Sequence, residues 1–356
     1  MKRFRRLQIL FGVTASAGVL ALATVVPAQG ATATGWRVLH RHHYGAATNF
    51  SAYVTGVATS KHNAWAFGGT NVSGATPGAP VAEHWNGKVW RGSSLPPGLT
   101  GNILAASASA GSNVWAVTHL GGIILHWNGT RWSVAKHVPG GGRFSGVTAV
   151  SSKDVWVFGG PGETSGLGTW HFNGHTWTNV TGNADGLEVA SALSASNIWG
   201  IGSSIAPGNL IMHFTHSWQR VTASALSNLL FRDILAESAK NVWVTATAFG
   251  NSLAPRLVHF NGTRWTRVAP PPWAVDPNAI VSDGRGGLWI SAEGSNGHGW
   301  ILHRSATGHW QRSALANVGL GVNLALIPGT EAVLAFGSIQ VNNNSDAVVW
   351  GHGKSA

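Results

Sequence analysis

Six histidines return at regular intervals along this chain: His84, His126, His171, His213, His259 and His303. Five of them are followed directly by tryptophan or phenylalanine. Imidazole is a common metal ligand, so repeated histidine first raises the question of a metal centre. The spacing argues against a shared ion, because equivalent positions in successive repeats are spread around a ring. A structural role is expected instead, each ring facing the adjoining repeat and satisfying buried backbone, serine or asparagine groups. His40-Arg41-His42-His43 is a denser metal-type cluster, but no carboxylate lies near it in sequence and it sits at an N-terminal edge. No metal and no cofactor is therefore expected.

Hydrolysis or elimination needs paired carboxylates or an activated nucleophile. The 356 residues include 12 acidic side chains, and no two of them fall within two positions of each other. Tyrosine occurs only as Tyr44 and Tyr53, which leaves little material for a tyrosine–glutamate nucleophile. No Gly-x-Ser-x-Gly elbow stands between a strand and a helix. Glu293 and His298 imitate part of a lyase set. The sequence leans away from catalysis, with a glycan-active hydrolase or lyase as the alternative.

The residues that suit a ligand are tryptophans outside the repeat. Trp273 lies in Ala269-Pro-Pro-Pro-Trp-Ala-Val-Asp276, stiffened by three prolines, and Trp300 ends the glycine-rich stretch 293–299. With Asp276, Glu293 and Arg256 they make a candidate binding site, an apolar platform bordered by polar groups. Stacking against a sugar is the chemistry expected of it. Trp170 is also off the pattern.

These residues must be carried by the repeat. Residues 144–151 alternate as a short strand should, and Val155-Trp-Val-Phe158 is rich in residues that suit a pleated surface. Residues 169–172 and 176–180 read as third and fourth strands around Asn173-Gly174. Asn-Gly favours a two-residue type I′ hairpin. In the second repeat that turn would pair Trp127 with Thr130 and set Leu125 opposite Trp132. Trp127 and Trp132 then share one face, and His126 and Arg131 the other. The acceptor patterns Asn128-Gly-Thr130 and Asn261-Gly-Thr263 are explained by the same turn.

Second-strand tryptophans recur at Trp65, Trp115, Trp156, Trp199, Trp243 and Trp289, and fourth-strand ones at Trp90, Trp132, Trp177, Trp218, Trp265 and Trp310. A period of roughly forty to fifty residues built from short strands and turns is the mark of a β-propeller. The expected fold is all-β, a seven-bladed propeller of four-stranded antiparallel blades. Blades fall near 50–93, 101–138, 144–182, 187–223, 230–270, 278–315 and 320–350. The seventh has Leu334 where tryptophan is expected and lacks a fourth strand. Residues 35–41, an orphan fourth strand carrying Trp36, are expected to complete it.

Four positive charges in Met1–Arg6 precede an apolar run over 7–26 and then small residues, as in a secretory signal peptide cleaved between 28 and 33. The expected domains are 1–33, a leader, and 34–356, one propeller. An uncleaved run would instead hold a sensory ectodomain at a membrane. Removing Lys2, Arg3, Arg5 and Arg6 from 23 basic side chains leaves a net charge of about +7 against 12 acidic ones, and the basic residues form no stripe. Nucleic acid is therefore not an expected partner. A monomer binding a glycan, an anionic cell-wall polymer or a protein is.

The motifs Asn-Val-Trp-Ala-Val (113–117) and His-Trp-Asn-Gly-Thr-Arg-Trp (126–132) resemble those of exported bacterial β-propellers of Kelch, BNR or regulator type. In that resemblance the histidines match the buried histidine of WD-repeat blades. Val281–Ile290 resembles the sensor-propeller repeat of two-component regulators. Ser282–Trp289 sounds like an Asp box, but it lies between first and second strands and its aspartate is one place early. The resemblance implies a fold and leaves activity open.

Overall fold

The computed structural model describes residues 35–44, 51–71, 78–160, 166–184, 186–203, 209–295, 297–315, 318–342 and 344–354. The expected leader lies outside them. No helix among the described residues is long and apolar enough to cross a membrane. Their strands form seven four-stranded antiparallel sheets, and six of these take their strands in sequence order. The blades run over 52–92, 103–137, 146–179, 187–220, 229–268, 275–314 and 318–352. First strands of successive blades lie side by side, and the first strand of blade seven returns to that of blade one, which closes the ring.

Closure comes from the N-terminal strand, Trp36–His42, which pairs antiparallel with Asn344–His352 as the fourth strand of blade seven. The physical need for it lies between blades. Each blade has apolar residues on both faces, and the described core divides into seven clusters, each spanning two neighbouring blades.

One contact recurs at these interfaces. The second-strand tryptophan of one blade meets the fourth-strand tryptophan of the next edge to face. Trp65–Trp132, Trp115–Trp177, Trp156–Trp218 and Trp199–Trp265 have centroids 5.2, 5.7, 5.4 and 5.7 Å apart. Such pairs contribute about 0.5–1.5 kcal/mol beyond their buried area. Trp36 makes the same contact with Trp289, at 5.6 Å and 87°. The orphan strand supplies the tryptophan that blade six requires.

The third-strand aromatic after the histidine also reaches the preceding blade. Trp127, Phe172, Phe214 and Phe260 lie 4.9, 5.6, 4.9 and 5.3 Å from Trp65, Trp115, Trp156 and Trp199. Where blade six has arginine, the guanidinium of Arg304 lies over Trp243 at 5.1 Å, a cation–π contact in place of the aromatic one. Where blade seven has histidine, His352 lies 4.7 Å from Trp289. The irregular repeats keep the contact with different chemistry.

The hairpin register differs from expectation. Trp127 pairs with Trp132, Leu125 with Val134 and His126 with Ser133, so the loop contains four residues. The cause is the asparagine side chain. Asn128 Oδ1 accepts from the backbone N–H groups of Thr130 and Arg131 at 3.0 Å each, and Gly129 takes φ 96°. This Asx arrangement satisfies the turn internally, where a two-residue turn would rely on backbone alone. Asn86, Asn173 and Asn261 do the same. Trp127 and Trp132 still share a face, but Arg131 is in the loop and does not pair with His126.

Replacing Trp36 with alanine removes a side chain only 6% exposed and leaves Trp289 without its edge contact. The expected loss is about 3–5 kcal/mol, measured by denaturant unfolding. An unchanged midpoint would show that the N-terminal strand does not hold the ring.

Candidate functional site

Each recurrent histidine stacks on the second-strand tryptophan of its own blade. Centroids lie 3.9–4.3 Å apart at 11–28° in the six pairs Trp65–His84, Trp115–His126, Trp156–His171, Trp199–His213, Trp243–His259 and Trp289–His303. The Nε2 atoms of His126, His213 and His259 meet Oδ1 of Asn113, Asn197 and Asn241 at 2.8, 3.0 and 2.8 Å. His171 and His303 meet Asp154 and Asp283, both at 2.9 Å. These partners stand at or just before the second strand of the same blade, whereas the sequence suggested the adjoining one. The reason is register: Trp115 lies directly across from His126, so the rings stack within the sheet. Asp283 of the Asp-box-like run also accepts from the N–H groups of Arg285 and Gly287, so it organises its own turn.

The site expected around Trp273 and Trp300 separates into two parts. Trp273 and Trp300 are brought together, both half-buried against the core between blades five and six. The Arg312 guanidinium, on the fourth strand, lies over both rings at 5.0 and 4.5 Å. One face of each ring expected to stack on a sugar therefore carries a cation from this chain. Trp300 pairs with Ala292, which pairs with Pro277, while Asp276 pairs with Glu293 one position away. Strand alternation puts Trp300 on one face of the sheet and the two carboxylates on the other.

Arg256 is bonded elsewhere. Its guanidinium donates to the carbonyls of Ala254 and Pro255 on its own strand. The arginine that reaches Asp276 is Arg232, which donates from Nη2 to Oδ2 at 2.7 Å. Oδ1 of Asp276 and Nε of Arg232 are buried without hydrogen-bond partners. Burial raises the Asp276 carboxyl pKa, Arg232 opposes that rise, and the net direction is upward. Arg232 was missed because it is a bulged first-strand residue of the preceding blade, 44 positions away.

A third group surrounds Glu83, which is 1% exposed on the third strand of blade one. His40 Nε2 lies 2.5 Å from its Oε2, and His42 Nδ1 lies 2.5 Å from its Oε1. The Tyr44 hydroxyl donates to Oε1 at 2.9 Å. Burial alone would raise this carboxyl's pKa, but His40 and the tyrosine hydroxyl outweigh it and bring it to about 2. The alternate side chains of the strand turn the other way: Arg41 Nε and His43 Nδ1 reach Asp346 at 2.6 and 2.7 Å. The carboxylate that the sequence did not place beside these histidines is thus supplied by a blade some forty residues later.

A cleft of about 530 Å³ opens at the opposite rim, lined by Ser60, Asn63, Ser109, Gly111 and Pro328 among others, with no carboxylate in its lining.

No family model matches this sequence, and no curated protein matches it. Solved structures do. YCF48 bound to D1 peptide aligns with a TM-score of 0.60 at 13% identity, covering 90% of this chain and 97% of that one. Kuenenia stuttgartiensis hydrazine synthase gives 0.61 at 10% identity, over 88% and 99%. The GH74 xyloglucanase from Xanthomonas campestris gives 0.60 at 14% identity, over 86% and 54%. The likeness is one of fold. It spans binding proteins and enzymes alike and supports a seven-bladed propeller.

Burial holds the His126, His213 and His259 imidazoles below the usual histidine value. Their protonated forms are disfavoured in the fold, so the unfolded chain takes up protons first as pH falls. Stability from these groups is complete above about pH 6.5 and is lost progressively below it. Melting followed from pH 8 to 5 should show this decline, and His126→Gln should make it shallower. His126→Ala should cost about 1–3 kcal/mol at pH 7 by removing the imidazole that stacks on Trp115 and bonds Asn113.

Proposed function

We propose that this chain is an exported, non-catalytic recognition propeller that binds a protein partner through a basic side chain at the rim of blades five and six. The observation that carries this is the notch of Asp276, Glu293 and Arg232. Two carboxylates face one another across paired strands, and one guanidinium answers them. Glu293, exposed beside the half-buried Asp276, is the carboxylate that a lysine or arginine of a ligand would reach. Trp273 and Trp300 border the same rim from the other face of the sheet.

A binding role is supported by how the carboxylates are used. Glu83, Asp154, Asp233, Glu237, Asp283, Glu331 and Asp346 are each engaged by histidine, arginine, asparagine or backbone donors. A general acid or base must be open to substrate. That YCF48 was solved with a peptide bound is in keeping with a propeller of this shape receiving a polypeptide.

The test is a peptide array, run beside glycan and cell-wall-polymer arrays with the purified protein. Lysine- or arginine-containing peptides should bind, and Glu293→Gln and Asp276→Asn should each weaken them at least about tenfold, the scale of a charge-assisted contact. Trp273→Ala should have a smaller effect. Binding to glycans alone, lost in Trp273→Ala and Trp300→Ala, would replace this reading with the sugar-stacking one. Turnover of a glycan lost in Asp276→Asn would make the protein an enzyme.

A further inference from the structure

The cluster around Glu83 has a feature that an ion pair does not explain. Two imidazoles, on alternate residues of one strand, address separate oxygens of one buried carboxylate. His40 Nε2 is itself buried and, despite standing 2.5 Å from Oε2, makes no aligned hydrogen bond. A ring nitrogen aimed past its carboxylate neighbour is poorly placed as a donor and well placed as a ligand. The three donor atoms all lie within 4.8 Å of one another. His40 further lies nearly parallel to the rings of Trp90 and Tyr53, with centroids at 5.7 and 6.2 Å, and His42 stacks on Tyr44 at 4.0 Å. The imidazole planes are therefore oriented before any ligand arrives.

We propose that His40, His42 and Glu83 form a binding site for a divalent first-row transition metal, with zinc the fitting ion, which clamps the ring-closing strand to blade one. Two imidazoles and one carboxylate, without thiolate, are ligands that zinc accepts in tetrahedral geometry. Donors around such an ion stand about 3.3 Å apart, so the two 2.5 Å histidine–carboxylate contacts open by less than an ångström while the wider spacings, within a 4.8 Å span, draw in. His42 supplies that movement, because it is half-buried at the last position of its strand. Tyr44, already bonded to the carboxylate, orients Glu83 from outside in the way second-shell partners do.

A consequence follows for stability. The metal ties residues more than forty positions apart in a chain that has no cysteine. Anything that binds the folded chain and not the unfolded one raises its melting temperature.

The purified full chain, stripped with a chelator and desalted, is titrated with zinc. One equivalent per chain should be retained by elemental analysis, with a rise in melting temperature that a chelator reverses. His40→Gln and His42→Gln should each weaken zinc binding at least tenfold, while His43→Gln, whose ring faces Asp346, should not. Cobalt substitution should give the intense visible absorption of a tetrahedral site. His42→Gln alters a side chain 41% exposed and should fold normally, so it decides the matter even where Glu83→Gln or His40→Gln fails to fold. Failure to retain zinc, or retention undiminished in His42→Gln, overturns the proposal. The peptide-binding notch is at a different rim position, so either result leaves that test independent.

Discussion

The fold depends on a tryptophan that no blade can bury by itself. Five of the six second-strand indoles stack on their own blade's histidine and also meet, edge to face, a fourth-strand tryptophan of the next blade. A sheet with an unburied indole is not stable alone in water, so each blade is completed by its neighbour, and the row must return to its start. The seven clusters of the described core accordingly lie between blades. Polar contacts reinforce the same seams near the ring's centre. Ser107, Ser191 and Asp233 accept backbone N–H groups of the following blade from Ala149, Ala236 and Ile280. Burial pushes the Asp233 carboxyl up to about 7 in spite of those donors.

Much of this was legible in the sequence, because the indoles recur and a repeat with one missing strand points to another strand elsewhere. Trp36 was placed correctly on that logic alone. The hairpin register was not legible, since Asn-Gly favours a short turn and only the side-chain bonds of Asn128 show that this one is longer. Nor did the sequence show that Arg304 and His352 stand in for aromatics, which is a matter of what each touches in the preceding blade.

The candidate sites were harder to read for a physical reason. Strand alternation is local, so His40 and His42 can be assigned one face from sequence, but what that face meets is fixed by the ring. Glu83 and Arg232 both come from other blades. Trp273 and Trp300 were recognised as off the repeat and do meet, through Arg312. Their grouping with Asp276 and Glu293 treated neighbourhood along the rim as a shared surface, whereas the sheet itself stands between them.

The pairing of Trp36 with His352 sets an orientation as well as a closure. In every other blade the corresponding place, where third strand passes to fourth, is a hairpin. In blade seven that hairpin is open, and the two strands that would have formed it are paired as far as Trp36 and His352. Chain joined before residue 35 and chain joined after 354 therefore both meet the propeller at one edge. Trp273, Asp276 and Glu293 are at the other edge. Both ends of the described chain thus leave from the edge opposite the loops of blade six, and the loop-bearing rim is free of either.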